Sequence, residues 1–468
     1  MKRQFKLFFI ILITAVAASA LTLFITGNTT ILGQGSAALS NSKFEKFNKA
    51  YEQIKSDYYQ KTDDSKLVDG AIKGMISSLD DPYSSYMDPQ EGKSFGETIS
   101  ASFEGIGAQV EEKDGSILIV SPIKGSPAEK AGIKPNDQIL KVDGKSVKGL
   151  NVSEAVALIR GKKGTNVKLV LHRAGVGDLN LSIKRDTIPV ETVYSEMKKG
   201  GIGEIQITSF SESTAKELNS AIDSLEKQGA KGYILDLRGN PGGLMDEAIK
   251  MSNMFIDKGK NIMQVEYKDG TKEVMKATKE RKVTKPTVVL VNDGTASAAE
   301  IMSAALHESS GIPLIGEKTF GKGTVQTAKD YSDGSTVKLT IAKWLTADGE
   351  WIHKKGIEPQ YQVKLPDYAN LPYLDAEKTY QYGDSGTTVT NAQKMLEALG
   401  YSVNVNGTYD KAFEQAVKQF QAKEKLKETG ILTGDTTAKL MTDLQKQLAD
   451  NDTQMKKAVE TLNKAMKK

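Results

Sequence analysis

One pattern restricts this chain more than any other: an unbroken apolar run that enters a glycine-containing turn and then opens a helix. It occurs twice. Residues 233–237 (YILDL) lead into RGNPGG and then LMDEAIKMSNMFI, and residues 287–292 (TVVLVN) lead into DGTA and then SAAEIMSAALHE. A strand that is apolar on both faces must be covered on both, as in parallel strands joined by helices. Residues from about 190 to 365 are therefore expected to form an α/β domain, with 324–345 as a β-hairpin turning at 332–335. Within 99–188, ILIVSPI, SPAEKAGIKPNDQILKVDG and NVSEAVALIRG read as short strands around one helix. Residues 43–98 read as an N-terminal helical region. Phe44, Phe47, Tyr51, Ile54 and Tyr58 recur at helical spacing there, and a second helix stops at Asp80-Asp81-Pro82 because proline forbids continuation. A separate helical unit spans 380–446. The helix at 447–468 carries Met455, Val459, Leu462 and Met466 on one side, a candidate surface for pairing two chains.

With 468 residues the chain has room for several domains. A net charge of +4, and no basic stretch interleaved with aromatics, argue against nucleic-acid binding. Cysteine is absent, which excludes disulfides and thiolate chemistry, and the three histidines form no ligand-spaced cluster. No metal or cofactor is implied. At the N-terminus Lys2, Arg3 and Lys6 precede an uncharged run over 7–25, long enough at 1.5 Å per residue to cross a bilayer core of about 30 Å. The basic flank keeps the short N-terminal end in the cytoplasm, so 1–26 is expected to be that basic end and a single-pass transmembrane anchor, followed by a linker over 27–42, with the bulk exported. The competing reading is a signal peptide cleaved near Ala18-Ser19-Ala20, with secretion.

Ser297 follows an apolar strand and a turn and opens a helix. Its hydroxyl should stand at the strand's C-terminal edge, where the N–H of Ala298 points outward and the helix dipole favours negative charge. That suits a nucleophile whose attack creates an oxyanion; the competing role is a helix cap. No histidine has an obvious claim as its base. Lys322, in TFGKGTVQ between Gly321 and Gly323, is a candidate if burial or nearby positive charge removes its proton. Gln326 would lie about 13 Å from Lys322 in an extended strand, so contact requires the chain to curl at 321–323. The run GEKTFGK matches GxxxxGK, but Gly323 stands where a P-loop needs Ser or Thr, so nucleotide binding is not expected.

Together LDDPYSSYM (79–87), YILDLRGNPGG (233–243), VNDGTASAAEI (291–301) and FGKGTVQ (320–326) closely resemble the carboxy-terminal processing, or tail-specific, proteases. The resemblance implies a crotonase-like α/β protease core with an inserted PDZ domain. It implies Ser297 as nucleophile, Lys322 as base and Gln326 as the residue orienting it. It places the oxyanion hole at Gly242 or Gly243 with Ala298. In the PDZ-like segment, Phe103, Glu104, Gly105, Ile106 and Gly107 match a carboxylate-binding loop. Arg160 matches the arginine that couples peptide binding to activity. Residues 380–446 resemble a peptidoglycan-binding domain, with Leu396, Leu399, Val417 and Phe420 expected in its core and peptidoglycan as a candidate ligand. The implied function is a bacterial serine endopeptidase acting on exported or membrane-associated proteins through an acyl-enzyme. The rival is a catalytically silent PDZ and wall-binding scaffold, which would usually have lost the serine or the lysine.

Overall fold

The computed structural model describes residues 42–113 and 115–467, which divide into two units after Asp80. The expected membrane anchor, its cleavage alternative and most of the linker lie outside the described residues. Among the described residues, no helix is long and apolar enough to cross a membrane.

The first unit holds α1 (Ser42–Asp57) and α2 (Asp64–Ser77). Asp63 caps α2 by accepting from the N–H groups of Ser65 and Lys66, as a short carboxylate at this position should. The aromatic and aliphatic stripe on α1 is largely exposed.

The second unit opens with β1 (Ser85–Met87) and α3 (Pro89–Ser100). The sequence reading joins these to the helices before them. The structure separates them, because β1 is an extended edge strand whose Ser85 sits opposite Lys338 in a distant sheet.

A PDZ-type fold follows, built from β2 (Ser102–Gly105), β3 (Ala108–Lys113), β4 (Ser116–Pro122), α4 (Pro127–Lys130), β5 (Gln138–Val142), β6 (Lys145–Ser146), α5 (Val152–Ile159), β7 (Asn166–Arg173), β8 (Gly177–Lys184) and β9 (Asp186–Pro189). Its sheet runs β3-β4-β5-β7-β8, with β6 on β5, while β2 pairs with β9 where the chain enters and leaves. Ile117, Ile119, Ile139, Leu169 and Leu171 fill its core. Strand β3 lies at the sheet edge, so its outer backbone groups are open to an added strand.

The expected parallel sheet is present. Strands β10 (Val193–Lys198), β11 (Ile202–Ile207), β12 (Gly232–Asp236), β15 (Thr287–Val291), β16 (Leu314–Gly316) and β19 (Tyr361–Gln362) lie in that order, parallel from β11 onward. Every residue of β12 and β15 is buried. Tyr233, Leu235, Val289 and Val291 face a core with α6 (Thr214–Lys227), α7 (Met245–Ser252) and α8 (Ala298–Ser310). A second, antiparallel sheet joins β1, β18 (Thr336–Leu345), β13 (Asn261–Tyr267) and β14 (Lys272–Lys276), with β17 (Thr324–Asp330) also on β18. The hairpin expected at 324–345 is β17–β18.

The C-terminal unit contains a 3₁₀ turn (Asp367–Asn370), α9 (Thr387–Ala398), α10 (Lys411–Lys423) and α11 (Gly434–Asp450). Leu396, Val417 and Phe420 are buried in its core, with Leu399 packed against them. The last helix, α12 (Thr453–Ala465), leaves this module and covers the other face of the parallel sheet. Ala458 and Leu462 pack on Ile234, Val288, Leu290 and Ile315, with Met455, Val459 and Met466 beside them. The apolar stripe offered above for pairing two chains is therefore used within the chain. Buried parallel strands need a second cover, and α12 supplies it.

Candidate active site

Ser297 occupies φ 53°, ψ −117°, a region that costs a residue with a side chain about 1–3 kcal/mol and so must be enforced by its surroundings. The enforcement is visible on both sides. The N–H of Ser297 donates to Glu300 Oε2 at 2.8 Å, and the N–H of Ala296 donates to the carbonyl of Asn240 at 2.9 Å. Gly242 packs directly beneath: a Cβ there would lie 2.8 Å from Ser297 Cβ and 2.9 Å from Ala298 N.

The turn 238–243 supplies the facing wall of a cleft of about 420 Å³ lined by Ser297, Lys322, Gln326, Gly243, Phe95 and Lys338 among others. Gly242 and Gly243 have different duties. The N–H of Gly242 donates to Asn240 Oδ1 at 2.8 Å. Neither the N–H of Gly243 nor that of Ala298 donates to an acceptor among the described residues. The two N–H groups without an acceptor are thus those of Gly243 and Ala298, while Gly242 is fixed by close packing.

Lys322 sits in a backbone loop with no slack. Glu300, wholly buried, accepts from Lys322 N–H (2.9 Å), Gly321 N–H (2.7 Å) and Thr319 Oγ1 (2.6 Å), besides Ser297 N–H. The indole N–H groups of Trp344 and Trp351 donate to the carbonyls of Lys322 (2.7 Å) and Gly323 (2.8 Å). Gly323 N–H donates to His353 Nδ1 at 3.3 Å. Gly321 has φ +88°, and a Cβ there would meet Gly356 N at 2.7 Å, so only glycine makes this bend without strain. Lys322 Nζ lies over the Tyr83 ring, 5.1 Å from its centroid. Burial, and then the Lys338 cation, hold its pKa below the ordinary lysine range, against the opposing carboxylates of Glu300 and Asp81. This is the direction a lysine base requires.

The curl that the sequence alone could not supply comes from Gly321 and from a register shift between Val325 and Gln326 on β17. It brings Gln326 into the cleft with Lys322. The Gln326 amide donates to Thr324 Oγ1 at 2.8 Å. His307 bonds the carbonyl of Ile312 at 3.0 Å near the far end of α8, away from this cleft. Sequence reading missed Glu300, Trp344, Trp351, Tyr83 and Lys338. Of these only Glu300 carried a signal, the S-x-x-E spacing of a capping box.

In the PDZ fold, Phe103, Gly105, Ile106, Gly107 and Arg160 line one cavity of about 230 Å³ between β3 and α5. The N–H groups of Ile106 and Gly107 donate to no acceptor among the described residues. Arg160 lies 4.7 Å over the Phe103 ring and pairs with Glu97 of α3 at 3.2 Å. Glu104 is 4.0 Å from Lys93 on the same helix. Phe95, Thr98 and Ile99 of α3 line the cleft that holds Ser297.

Peptidase family S41 matches residues 201–363 of this chain. The activating protease CtpB N-terminal domain matches 24–91, a PDZ domain 118–173 and a peptidoglycan-binding domain 385–440. The carboxy-terminal processing protease CtpA of Bacillus subtilis (strain 168) is 81% identical over 466 residues, covering 100% of both chains. Its counterpart CtpB from the same strain is 42% identical over 425 residues, covering 89% of this chain and 88% of its own. Among solved structures, the photosystem II D1 C-terminal processing protease is 29% identical. The match covers 71% of this chain and 95% of that one, at a TM-score of 0.41.

Proposed function

The chain belongs to the carboxy-terminal processing proteases, serine-type peptidases of family S41, and from that membership we propose a Ser297–Lys322 mechanism fed by PDZ capture of the substrate's C-terminus. The observation that carries the mechanism is one cleft holding a strained serine, a half-buried lysine with a depressed pKa, and two N–H groups with no acceptor among the described residues.

Neutral Lys322 takes the proton of Ser297 Oγ as the oxygen attacks the scissile carbonyl carbon. The oxygen of that carbonyl becomes the oxyanion, facing the N–H groups of Gly243 and Ala298. The Lys322 ammonium then gives its proton to the departing amine nitrogen, the C–N bond breaks, and an acyl-enzyme ester remains. Water attacks that ester with Lys322 again taking the proton, and the Lys322 ammonium returns it to Ser297 Oγ as the acyl C–O bond breaks. A carboxylate product leaves and the serine is restored. Gln326, in reach of the same cleft, orients the lysine once substrate displaces its bond to Thr324.

The unengaged N–H groups at Ile106 and Gly107 hold the substrate's terminal carboxylate, while the cavity beside Phe103 takes its last apolar side chain and the peptide adds to edge strand β3. The Arg160–Glu97 contact links that event to α3 and hence to the cleft. Anchoring by residues 7–25 or export past them, together with the peptidoglycan-binding-like module, sets the protease to work outside the cytoplasmic membrane near the wall.

Ser297→Ala and Lys322→Ala are each expected to abolish cleavage of an unstructured protein, measured on folded enzyme, and the double variant should lose no more than either alone. Substantial turnover by purified Lys322→Ala would sink the base assignment.

A further inference from the structure

The turn that presents Gly243 begins at Arg238, and Arg238 is held from two directions. On its own strand, Asp236 accepts from Arg238 Nε at 2.9 Å and Nη2 at 2.7 Å. Across the fold, Nη1 donates to Asp452 Oδ2 at 2.8 Å and Gln454 Oε1 at 3.0 Å. These last two residues lie more than two hundred positions away, at the head of α12. We propose that Asp452 and Gln454 are positioning residues of the protease. Through Arg238 they fix the oxyanion turn, so the last helix belongs to the catalytic apparatus and is not an appendage of the wall-binding-like module.

The turn has little rigidity of its own and is held by tethers. Gly239, Gly242 and Gly243 all adopt positive φ, and a glycine-rich turn does not hold one conformation unaided. Its middle is tied by Asn240, whose amide donates to the carbonyl of Ile207 at 2.7 Å, and by Asn292, which accepts from Gly239 N–H at 2.8 Å. Its start is tied by Leu237 N–H, which donates to the carbonyl of Leu290 at 3.0 Å, and by Arg238 N–H, which donates to Asp236 Oδ1 at 3.0 Å. The Arg238 guanidinium ties it as well, its planar fork filled on one edge by Asp236 and on the other by the α12 residues. Planar, charge-assisted contacts of this kind fix orientation as well as distance.

The holders are themselves held. Asp452 Oδ1 caps α12 by accepting from Met455 N–H at 2.8 Å. Gln454 is wholly buried and donates to the carbonyl of Val363 at 2.9 Å and to Glu317 Oε2 at 3.3 Å. Gly232, the first residue of β12, lets α12 come close: a Cβ there would meet Leu462 Cδ1 at 3.0 Å. Burial alone would explain a helix packed on the sheet. It does not explain why that helix aims a carboxylate and an amide at the first residue of the oxyanion turn.

The inference rests on the Ser297 mechanism, so the test begins there, with full-length Ser297→Ala. Activity surviving in that variant overturns both readings. With Ser297 established, Asp452→Asn and Asp452→Ser separate capping from clamping, because each keeps a side-chain oxygen for Met455 N–H and loses the ion pair. We expect kcat on an unstructured protein to fall about threefold to tenfold with KM within twofold. Affinity for a peptide aldehyde, whose adduct places its oxygen in the hole, should fall by the same factor, and affinity for the matching alcohol should hold. Asp452→Glu should recover part of the loss. In an Arg238→Met background, Asp452→Asn should cost nothing further. Unchanged kcat and aldehyde affinity, a loss that follows only the unfolded fraction, or an additive loss on top of Arg238→Met would each overturn the assignment.

Discussion

The base loop at 321–323 and the PDZ loop at 105–107 are both short, glycine-flanked and aimed into a cavity, yet their backbones are treated differently. In the base loop each N–H and carbonyl has a fixed partner: Glu300 for two N–H groups, His353 for the third, and Lys354 N–H, Trp344 and Trp351 for the carbonyls. In the PDZ loop the N–H groups of Ile106 and Gly107 have no acceptor among the described residues, and the neighbouring tie is a partly exposed ion pair, Arg160–Glu97. The difference suits the roles proposed for the two loops. A proton-transfer geometry must be enforced before substrate arrives, because reorganising it during the reaction raises the barrier. A recognition loop must leave donors free for the ligand, and its signal must be weak enough to reverse.

Glu300 is where the tightly held side of that comparison can be broken. Its carboxylate ties the nucleophile turn to the base loop, accepting from Ser297 N–H on one side and from Gly321 and Lys322 N–H on the other. Glu300→Ala leaves these buried donors without partners, at about 1–3 kcal/mol each. Loss of kcat of about a hundredfold or more is expected, together with a clear drop in Tm. Glu300→Gln keeps the volume but turns an amide N–H₂ toward donors, so it should keep more stability than alanine while recovering little activity. Near-normal kcat in Glu300→Gln would mean the two catalytic segments are placed independently.

This contact also marks where sequence reading ran out. The strand–turn–helix runs at 233–243 and 287–301 were legible because burial on both faces leaves an unbroken apolar pattern; Ser297 stood out at the head of the second helix only as cap or nucleophile, and the family resemblance supplied the choice. The S-x-x-E spacing from Ser297 to Glu300 was legible too, but only as a local cap. Its second job, holding a loop at 319–322, joins one side chain to backbone N–H groups, and backbone donors leave no mark on residue identity. The same applies to the choice between Gly242 and Gly243, which turns on a single bond from Gly242 N–H to Asn240 Oδ1. The stripe on α12 was visible as a stripe, but its partner was not, since apolar residues at helical spacing do not say which sheet they cover. Lys338 was one lysine among many until β18 carried it into the cleft.

Lys338 sharpens the comparison through pH, with a smaller effect. In the proposed mechanism neutral Lys322 is the active form, and its folded pKa lies below the ordinary lysine value, so activity should climb as pH rises through it. Lys338 pushes in that direction, while Glu300 and Asp81 push the other way. Removing the cation in Lys338→Met should let the Lys322 pKa rise and move the acid limb of kcat/KM to higher pH. The expected cost on that limb is about threefold to tenfold, vanishing at alkaline pH. Lys338→Arg should keep the wild-type limb. A limb that stays put in Lys338→Met would show that burial alone sets the base.

The smallest effect belongs to the open side. Arg160 and Glu97 keep 45% and 23% of their side-chain surface exposed, so breaking the pair should change Tm little, within the 0–1 kcal/mol of surface ion pairs. What should change is the advantage of a free C-terminus. For the wild type, a substrate ending in an apolar residue with a free carboxylate should be cut faster than its amide, because the amide offers no charge to the N–H groups of Ile106 and Gly107. In Arg160→Ala the acid substrate should slow about twofold to fivefold, toward the amide rate, and the amide itself should be cut as before. Raising salt should narrow the wild-type gap, since the contact is screened. Steady-state rates on the paired substrates decide the matter. Equal slowing of acid and amide would place Arg160 in the general stability of α3, and no slowing of either would sever the PDZ loop from the cleft.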